Sequence, residues 1–272
     1  MFAGVLLAPL LAGAHGTFDA RMAELDGRLA LKPNDPALHF TRAELYCEHE
    51  QPAEALAEIT LVETLGVGDL PVDYLRGMCL RLAGKPAEAL TSLNRYVTAH
   101  PENAPARLQR ARVQIALGDM PAGLDDYRAA LRLSVRPEPD LVQETADTLV
   151  AAGKIAEAVQ VLDNGLAVLG PVPSLMLRAV DVETATGRFD DALTRVAALQ
   201  KIAPRPEPWM ARRAAILTQA GRIDEARAAW TALISHLAAL PNLERGSHSF
   251  SLLAEQARQA LARLNSPSVS SP

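Results

Sequence analysis

Residues 52–56 read PAEAL, and the same five letters return at 86–90. Looser copies follow as AEAV at 156–159, DDAL at 190–193 and DEAR at 224–227. The small residue in each phrase is Ala55, Ala89, Ala158, Ala192 and Ala226, and Gly123 falls in the middle of the one double-length gap. A second marker runs in register with the first: Gly84, Gly118, Gly153, Gly187 and Gly221. Two markers sharing a period of about 34 residues identify a chain built of repeated supersecondary units rather than around one globular core.

Each period predicts a pair of helices. The first carries apolar residues at helical spacing, as Leu108, Ala111 and Ile115 do. It stops at the marker glycine, which adopts the left-handed conformation that ends a helix. The second opens with Asp or Glu, favoured at a helix N-terminus by the helix dipole. It then presents Leu93, Tyr127, Leu162, Val196 or Trp230, four residues after the small residue. The small residue itself marks where the paired helices cross closely, a need that Gly123 also meets. Pro33, Pro101 and Pro204 close second helices without breaking one. Composition agrees: 49% of residues are hydrophobic and only 4% aromatic, so the core is Ala, Leu and Val, and wholesale disorder is excluded.

This pattern resembles the tetratricopeptide-repeat family, W-x2-L-G-x2-Y…A-x3-F…P. The small slot of the second helix is filled by Ala55, Ala89, Gly123, Ala158, Ala192 and Ala226, and the Gly/Ala slot of the first by Ala43, Gly77, Ala111, Ala146 and Ala214, with Val180 the exception. Tyr46 alone fills the tyrosine slot, and the tryptophan slot is degenerate. The resemblance implies an all-α, right-handed α-solenoid of six helix-turn-helix units with N- and C-terminal capping helices. The units are 36–69, 70–103, 104–138, 139–172, 173–206 and 207–240. Residues 15–35 form the N-terminal capping helix. Residues 241–265 form a linker and the C-terminal capping helix, whose stripe is Leu253, Ala257, Ala260, Leu261 and Leu264, and 266–272 are a disordered tail.

The family holds a peptide or partner protein on the face lined by first helices. The resemblance therefore implies a non-enzymatic scaffold or adaptor with a partner-binding groove of Phe40, Glu44, Tyr74, Met78, Arg81, Leu82, Leu108 and Arg112. Later units offer Gln143, Asp147, Asp181, Thr184 and Thr218 at the corresponding places, which water already satisfies. Aromatic residues and Arg most often dominate binding energy, so the N-terminal half is the expected docking surface. The Lys and Asn that clamp a C-terminal carboxylate in the chaperone-binding subset are missing from these slots. Arg42 and Arg110 stand sixteen residues before Glu58 and Asp126, and this spacing predicts structural pairing with the facing helix rather than an anion-binding stripe.

The termini and the charge set further bounds. Residues 2–14, FAGVLLAPLLAGA, are apolar but too short to span a bilayer as a helix. They end in Ala12-Gly13-Ala14, which suits a signal peptidase, although no Lys or Arg precedes the run. Residues 1–14 are therefore expected to be a signal peptide cleaved after Ala14, giving a periplasmic or secreted protein. Leu11-Ala12-Gly13 resembles a lipoprotein box, but Ala14 stands where the cysteine is required, so no lipid anchor is expected. A net charge of −5 with no Lys/Arg cluster argues against nucleic acid as a partner.

No HExxH, GxSxG, P-loop, dinucleotide-binding or EF-hand motif occurs, and no cofactor is expected. Glu44, Cys47, Glu48 and His49 cluster at one helix end, a spacing too unspecific to designate a metal site. Cleavage after Ala14 would expose His15 as an N-terminal residue able to chelate copper, which makes a copper-binding accessory protein the alternative function. The other histidines are scattered, and none is placed to complete such a site. Cys47 and Cys79, the only cysteines, fall on adjacent first helices. Cys47 maps to the groove side and Cys79 to the seam between helices, so two free thiols are predicted.

Overall fold

The computed structural model describes residues 8–241 and 248–266, with side chains from Phe18 onward. Among the described residues it is all helix, with no strand. The chain divides into two compact bodies, residues 1–135 and 136–272.

The N-terminal body holds α1 (Ala8–Leu31), α2 (Pro36–Glu48), α3 (Pro52–Leu65), α4 (Val72–Leu82), α5 (Pro86–Ala99), α6 (Ala104–Ala116) and α7 (Met120–Leu133). Helices α2/α3, α4/α5 and α6/α7 pack as pairs, and the first helices α2, α4 and α6 also touch in sequence. Proline opens most helices within the first two positions, where its missing N–H costs nothing. Asp35, Asn103 and Asp119 cap the starts of α2, α6 and α7 by accepting from backbone N–H groups at 2.9–3.4 Å. Helix α1 buries Leu25 and Leu29 against Leu38 and Leu45 of α2. Residues 1–7, which include the start of the expected signal peptide, lie outside the described residues, as do the side chains of Ala14 and His15 at the expected cleavage site.

The C-terminal body repeats the scheme with α8 (Pro139–Ala151), α9 (Ile155–Leu169), α10 (Pro173–Ala185), α11 (Phe189–Ile202), α12 (Glu207–Gln219) and α13 (Ile223–Ala239). A last helix, α14 (His248–Asn265), lies on α13. It covers Trp230, Leu233 and Leu237 with Phe250, Leu253, Ala257, Ala260 and Leu261, while Gln256, Arg258 and Gln259 face water. Part of the linker before α14 and most of the tail expected to be disordered lie outside the described residues. Among the described residues no helix is long and apolar enough to cross a membrane.

The repeat markers act as their spacing implies. Ala55, Ala89, Ala158, Ala192 and Ala226 are completely buried, and so are Leu93, Leu162 and Val196 four residues further on. At Gly123 an added Cβ would stand 2.5 Å from Ile115 Cδ1, so an alanine there would require the Ile115 side chain to shift. First helices end on Gly84, Gly118, Gly153, Gly187 and Gly221 with φ between 70° and 84°. In the first repeat the same place is taken by Glu50 at φ 57°.

Candidate functional site

The first-helix face of the N-terminal body is built from α2, α4 and α6. Helix periodicity puts Tyr74, Met78, Arg81 and Leu82 on one side of α4, and Leu108 and Arg112 at matching places on α6. All six are half-buried, so each shows part of its side chain to solvent. Arg81 Nε donates to Gln109 Oε1 at 3.1 Å, tying α4 to α6. The Tyr74 ring lies 5.4 Å from Tyr96, which in turn lies 4.4 Å from His100. Burial and the neighbouring Tyr96 push the Tyr74 hydroxyl above the usual phenol range, with Arg112 and Arg81 pulling it back. Tyr74 thus stays a neutral hydroxyl beside two guanidinium groups, a surface that is apolar in body and cationic at its edge.

Phe40 is a correction to the sequence-based site. It is only 6% exposed and belongs to the core with Ala43, Ile59, Val62, Val72 and Leu75. Its cluster is completed by side chains of α3 and α4, whereas Tyr74 and Leu108 at the corresponding repeat position stay half-buried. Glu44 remains exposed. Cys47 is a second correction: it is not on the groove side but buried in the same core cluster as Cys79. Both are free thiols, as predicted, although the expected separation of their side chains is wrong. His49 lies against the ring of Phe18, with centroids 4.3 Å apart. Among the described residues no three His, Cys, Asp or Glu side chains are grouped to hold a metal ion.

The arginine series is structural where it pairs. Arg42 donates to Glu58 at 2.6 Å, and Arg110 to Asp126 at 2.6 and 2.9 Å, as the sixteen-residue spacing implied. Arg76 turns instead to Glu63 at 2.6 Å. A cleft of about 460 Å³ beside α4 and α5 contains Glu63 and Asp73, but these carboxylates are committed to Arg76 and Arg95.

Two features of the C-terminal body escaped the sequence reading. On its first-helix face Asp147 pairs with Arg178, and Asp181 with Arg212, each reaching to the next first helix. Met78, Arg112, Asp147 and Asp181 occupy one repeat position, so the same place is apolar or basic in one body and ion-paired acid in the other. The second feature is an apolar cleft of about 440 Å³ lined by Pro173, Leu199, Ile202, Pro204 and Trp209. Trp209 carried no repeat signal, because it stands next to the degenerate tryptophan slot rather than in it.

Comparison with known proteins bears on the fold. Residues 72–103, which span α4 and α5, match a tetratricopeptide-repeat family model. Among solved structures, Pseudomonas aeruginosa PilF aligns over 72% of this chain and 88% of its own, with a TM-score of 0.56 and 19% identity. A tetratricopeptide-repeat protein from Parabacteroides merdae aligns over 86% and 94%, with a TM-score of 0.55 and 16% identity. YrrB, described as a tetratricopeptide-repeat protein with an unusual peptide-binding site, aligns over 74% and 97%, with a TM-score of 0.53 and 15% identity. No curated protein matches the chain. The fold is the tetratricopeptide-repeat fold.

Proposed function

We propose that this protein is a non-enzymatic adaptor that binds a peptide or protein segment on the α4–α6 face of its N-terminal body. The observation that carries the reading is the grouping of half-exposed Tyr74, Met78, Leu82 and Leu108 with Arg81 and Arg112 across two adjacent first helices. Aromatic and Arg side chains supply most of the binding energy in protein interfaces, and Met adapts to irregular partners. The peptide-binding site named for YrrB supports the same use of this fold. An acidic or phosphorylated segment carrying an apolar anchor suits the two guanidinium groups.

The test is selection of a peptide from a random displayed library, followed by titration of the winner against variants. Tyr74→Ala and Arg112→Ala are each expected to weaken binding by about 5- to 150-fold, equivalent to about 1–3 kcal/mol. A peptide indifferent to both but lost on Trp209→Ala would move the site to the cleft of the C-terminal body.

The apolar run 2–14 and the Ala12-Gly13-Ala14 sequence support export with cleavage after Ala14. N-terminal sequencing of protein from its native source is expected to read His15 first. An intact Met1 terminus on correctly located protein would defeat the export reading.

A further inference from the structure

We infer that Arg213 and Lys201, on α12 and α11 of the C-terminal body, form a docking site for an acidic segment of a partner polypeptide. Arg213 holds the repeat position of Arg42, Arg76 and Arg110, each of which is half-buried and paired with an acid. Two offsets supply the partners of Arg42 and Arg110. Sixteen residues ahead stand Glu58 and Asp126, and sixteen residues behind stand Asp26 and Asn94, all bonded at 2.6–3.1 Å. Arg76 uses Glu63, thirteen residues behind. The corresponding places around Arg213 hold Ala229, Ala197 and Gln200, none of them an acid. Arg213 is exposed, and among the described residues it makes no hydrogen bond or ion pair. This repeat keeps the cation and omits the anion.

Arg213 lines a cleft of about 610 Å³. Leu193, Ala197, Ala198 and Ile202 give the cleft an apolar lining, and Lys201, Arg213 and Arg222 set three cations against the carboxylate of Asp190. Arg222 is already committed: it donates to Asp190 at 2.7 Å and to both oxygens of Glu225 at 2.7 Å. Glu225 therefore acts on Arg213 only through space. Lys201 also has no hydrogen bond or ion pair among the described residues. Two cations are left for an incoming group, in a chain whose net charge is −5.

The partners used at this arginine position elsewhere indicate the occupant. They are mostly carboxylates of protein side chains, and at Asp126 the Arg110 guanidinium donates to both oxygens, the geometry that suits an arginine fork. The second charge on Lys201 favours a segment with two acidic residues. An apolar anchor has a place beside them. Ile202, 55% exposed, lines both this cleft and the neighbouring apolar cleft that holds Trp209. Acidic and apolar side chains together distinguish a polypeptide from a free anion. The site does not rest on the α4–α6 reading, which concerns the other body.

The experiment titrates the full-length protein into a fluorescein-labelled peptide of alternating glutamate and leucine, blocked at its C-terminus, and follows anisotropy. A peptide with glutamine in place of glutamate is expected to bind at least about 10-fold more weakly, and the acidic peptide to lose affinity as salt is raised. Arg213→Gln and Lys201→Gln should each weaken binding of the acidic peptide by about 10-fold. Ala197→Asp, which restores an internal acid at the offset of Asp26, should weaken it similarly while both cations stay in place. Arg132→Gln removes an exposed arginine at the end of α7 and should leave affinity unchanged. All four positions are exposed or half-exposed, so the fold is expected to persist. The proposal is overturned if the acidic peptide fails to bind at millimolar concentration, or binds the Arg213→Gln/Lys201→Gln variant as tightly as the parent. Equal binding of the glutamine peptide, or displacement by inorganic phosphate as effective as by unlabelled peptide, would overturn it too.

Discussion

In the N-terminal body each deeply buried carboxylate has two partners. Glu58 lies 2.6 Å from His39 Nδ1 and 2.6 Å from Arg42 Nη2, and Asp126 is held by both Arg107 and Arg110. In the C-terminal body Glu183, with no exposed surface, takes its side-chain hydrogen bonds from Arg195, whose Nε lies 2.9 Å from both carboxylate oxygens, while Arg188 contributes charge without a hydrogen bond. Arg195 is itself shared with Asp163 at 2.6 Å. The same helical-pair architecture therefore carries redundant hydrogen-bonded partners in one body and a single one in the other. Burial pushes the Glu183 carboxyl above its usual range, and Arg195 opposes that push. A buried charge is tolerated only while its partner stays in place.

The largest expected effect follows from that difference. Arg195→Ala leaves a buried carboxylate without its hydrogen-bonded partner and is expected to cost about 3–5 kcal/mol. Arg110→Ala leaves Asp126 with Arg107 and should cost roughly 1–2 kcal/mol. Urea denaturation of the two variants beside the parent protein measures both. Equal losses would break the comparison, because redundancy at Asp126 would then count for nothing. An Arg195→Ala/Glu183→Gln double variant should recover part of the loss, since it removes the charge that lost its hydrogen bonds.

The sequence revealed what repeats and concealed what occurs once. Paired helices, their glycine ends and the crossing residues from Ala55 to Ala226 recur every period, so chance could be set aside. The Arg42–Glu58 and Arg110–Asp126 pairs were legible because one offset serves twice. Arg195 to Glu183 is a single event that reaches back twelve residues to the preceding helix, and no periodicity announces it. Phe40 and Cys47 were misplaced for the opposite reason. Assigning a slot to the groove assumes that every repeat is covered equally, whereas side chains of α3 and α4 join both residues in one core cluster. The Asp147–Arg178 and Asp181–Arg212 pairs recur, but they join successive repeats rather than helices within one, and within-repeat spacing does not report such links.

Helix ends offer a smaller test. Every first helix of the C-terminal body ends on a glycine, whereas the N-terminal body begins with Glu50 in that role. The backbone is the same in both cases. Glu50 N–H donates to Cys47 O and Gln51 N–H to Tyr46 O at 3.2 and 2.9 Å, as Gly84 and Lys85 donate to Arg81 and Leu80 at 3.1 and 2.9 Å. A side chain at positive φ carries strain that glycine lacks, partly offset by the freedom glycine brings to the unfolded chain. Glu50→Gly is expected to stabilise the protein by about 0.5–1 kcal/mol, and Gly84→Ala to destabilise it by about 1 kcal/mol. Thermal melts that rank the two variants in the reverse order would show that the first repeat is not strained at this place.

The smallest expected effect concerns the ion pairs on the first-helix face of the C-terminal body. Arg178 and Asp147 keep 30% and 43% of their side-chain surface in water, so solvent and salt screen the attraction between them. Pairs of this exposure contribute about 0–1 kcal/mol, because ordering two side chains offsets most of the Coulomb gain. A double-mutant cycle with Arg178→Ala and Asp147→Ala is expected to give a coupling of no more than about 0.5 kcal/mol that fades as salt is raised. A salt-insensitive coupling above about 1 kcal/mol would mean that this ladder clamps successive first helices as the buried carboxylates do. The low value would place it where its exposure does, as a neutralising cover on acids that would otherwise attract cations. The two first-helix faces would then differ in what they present to a partner, one apolar and basic side chains, the other pairs of acid and arginine.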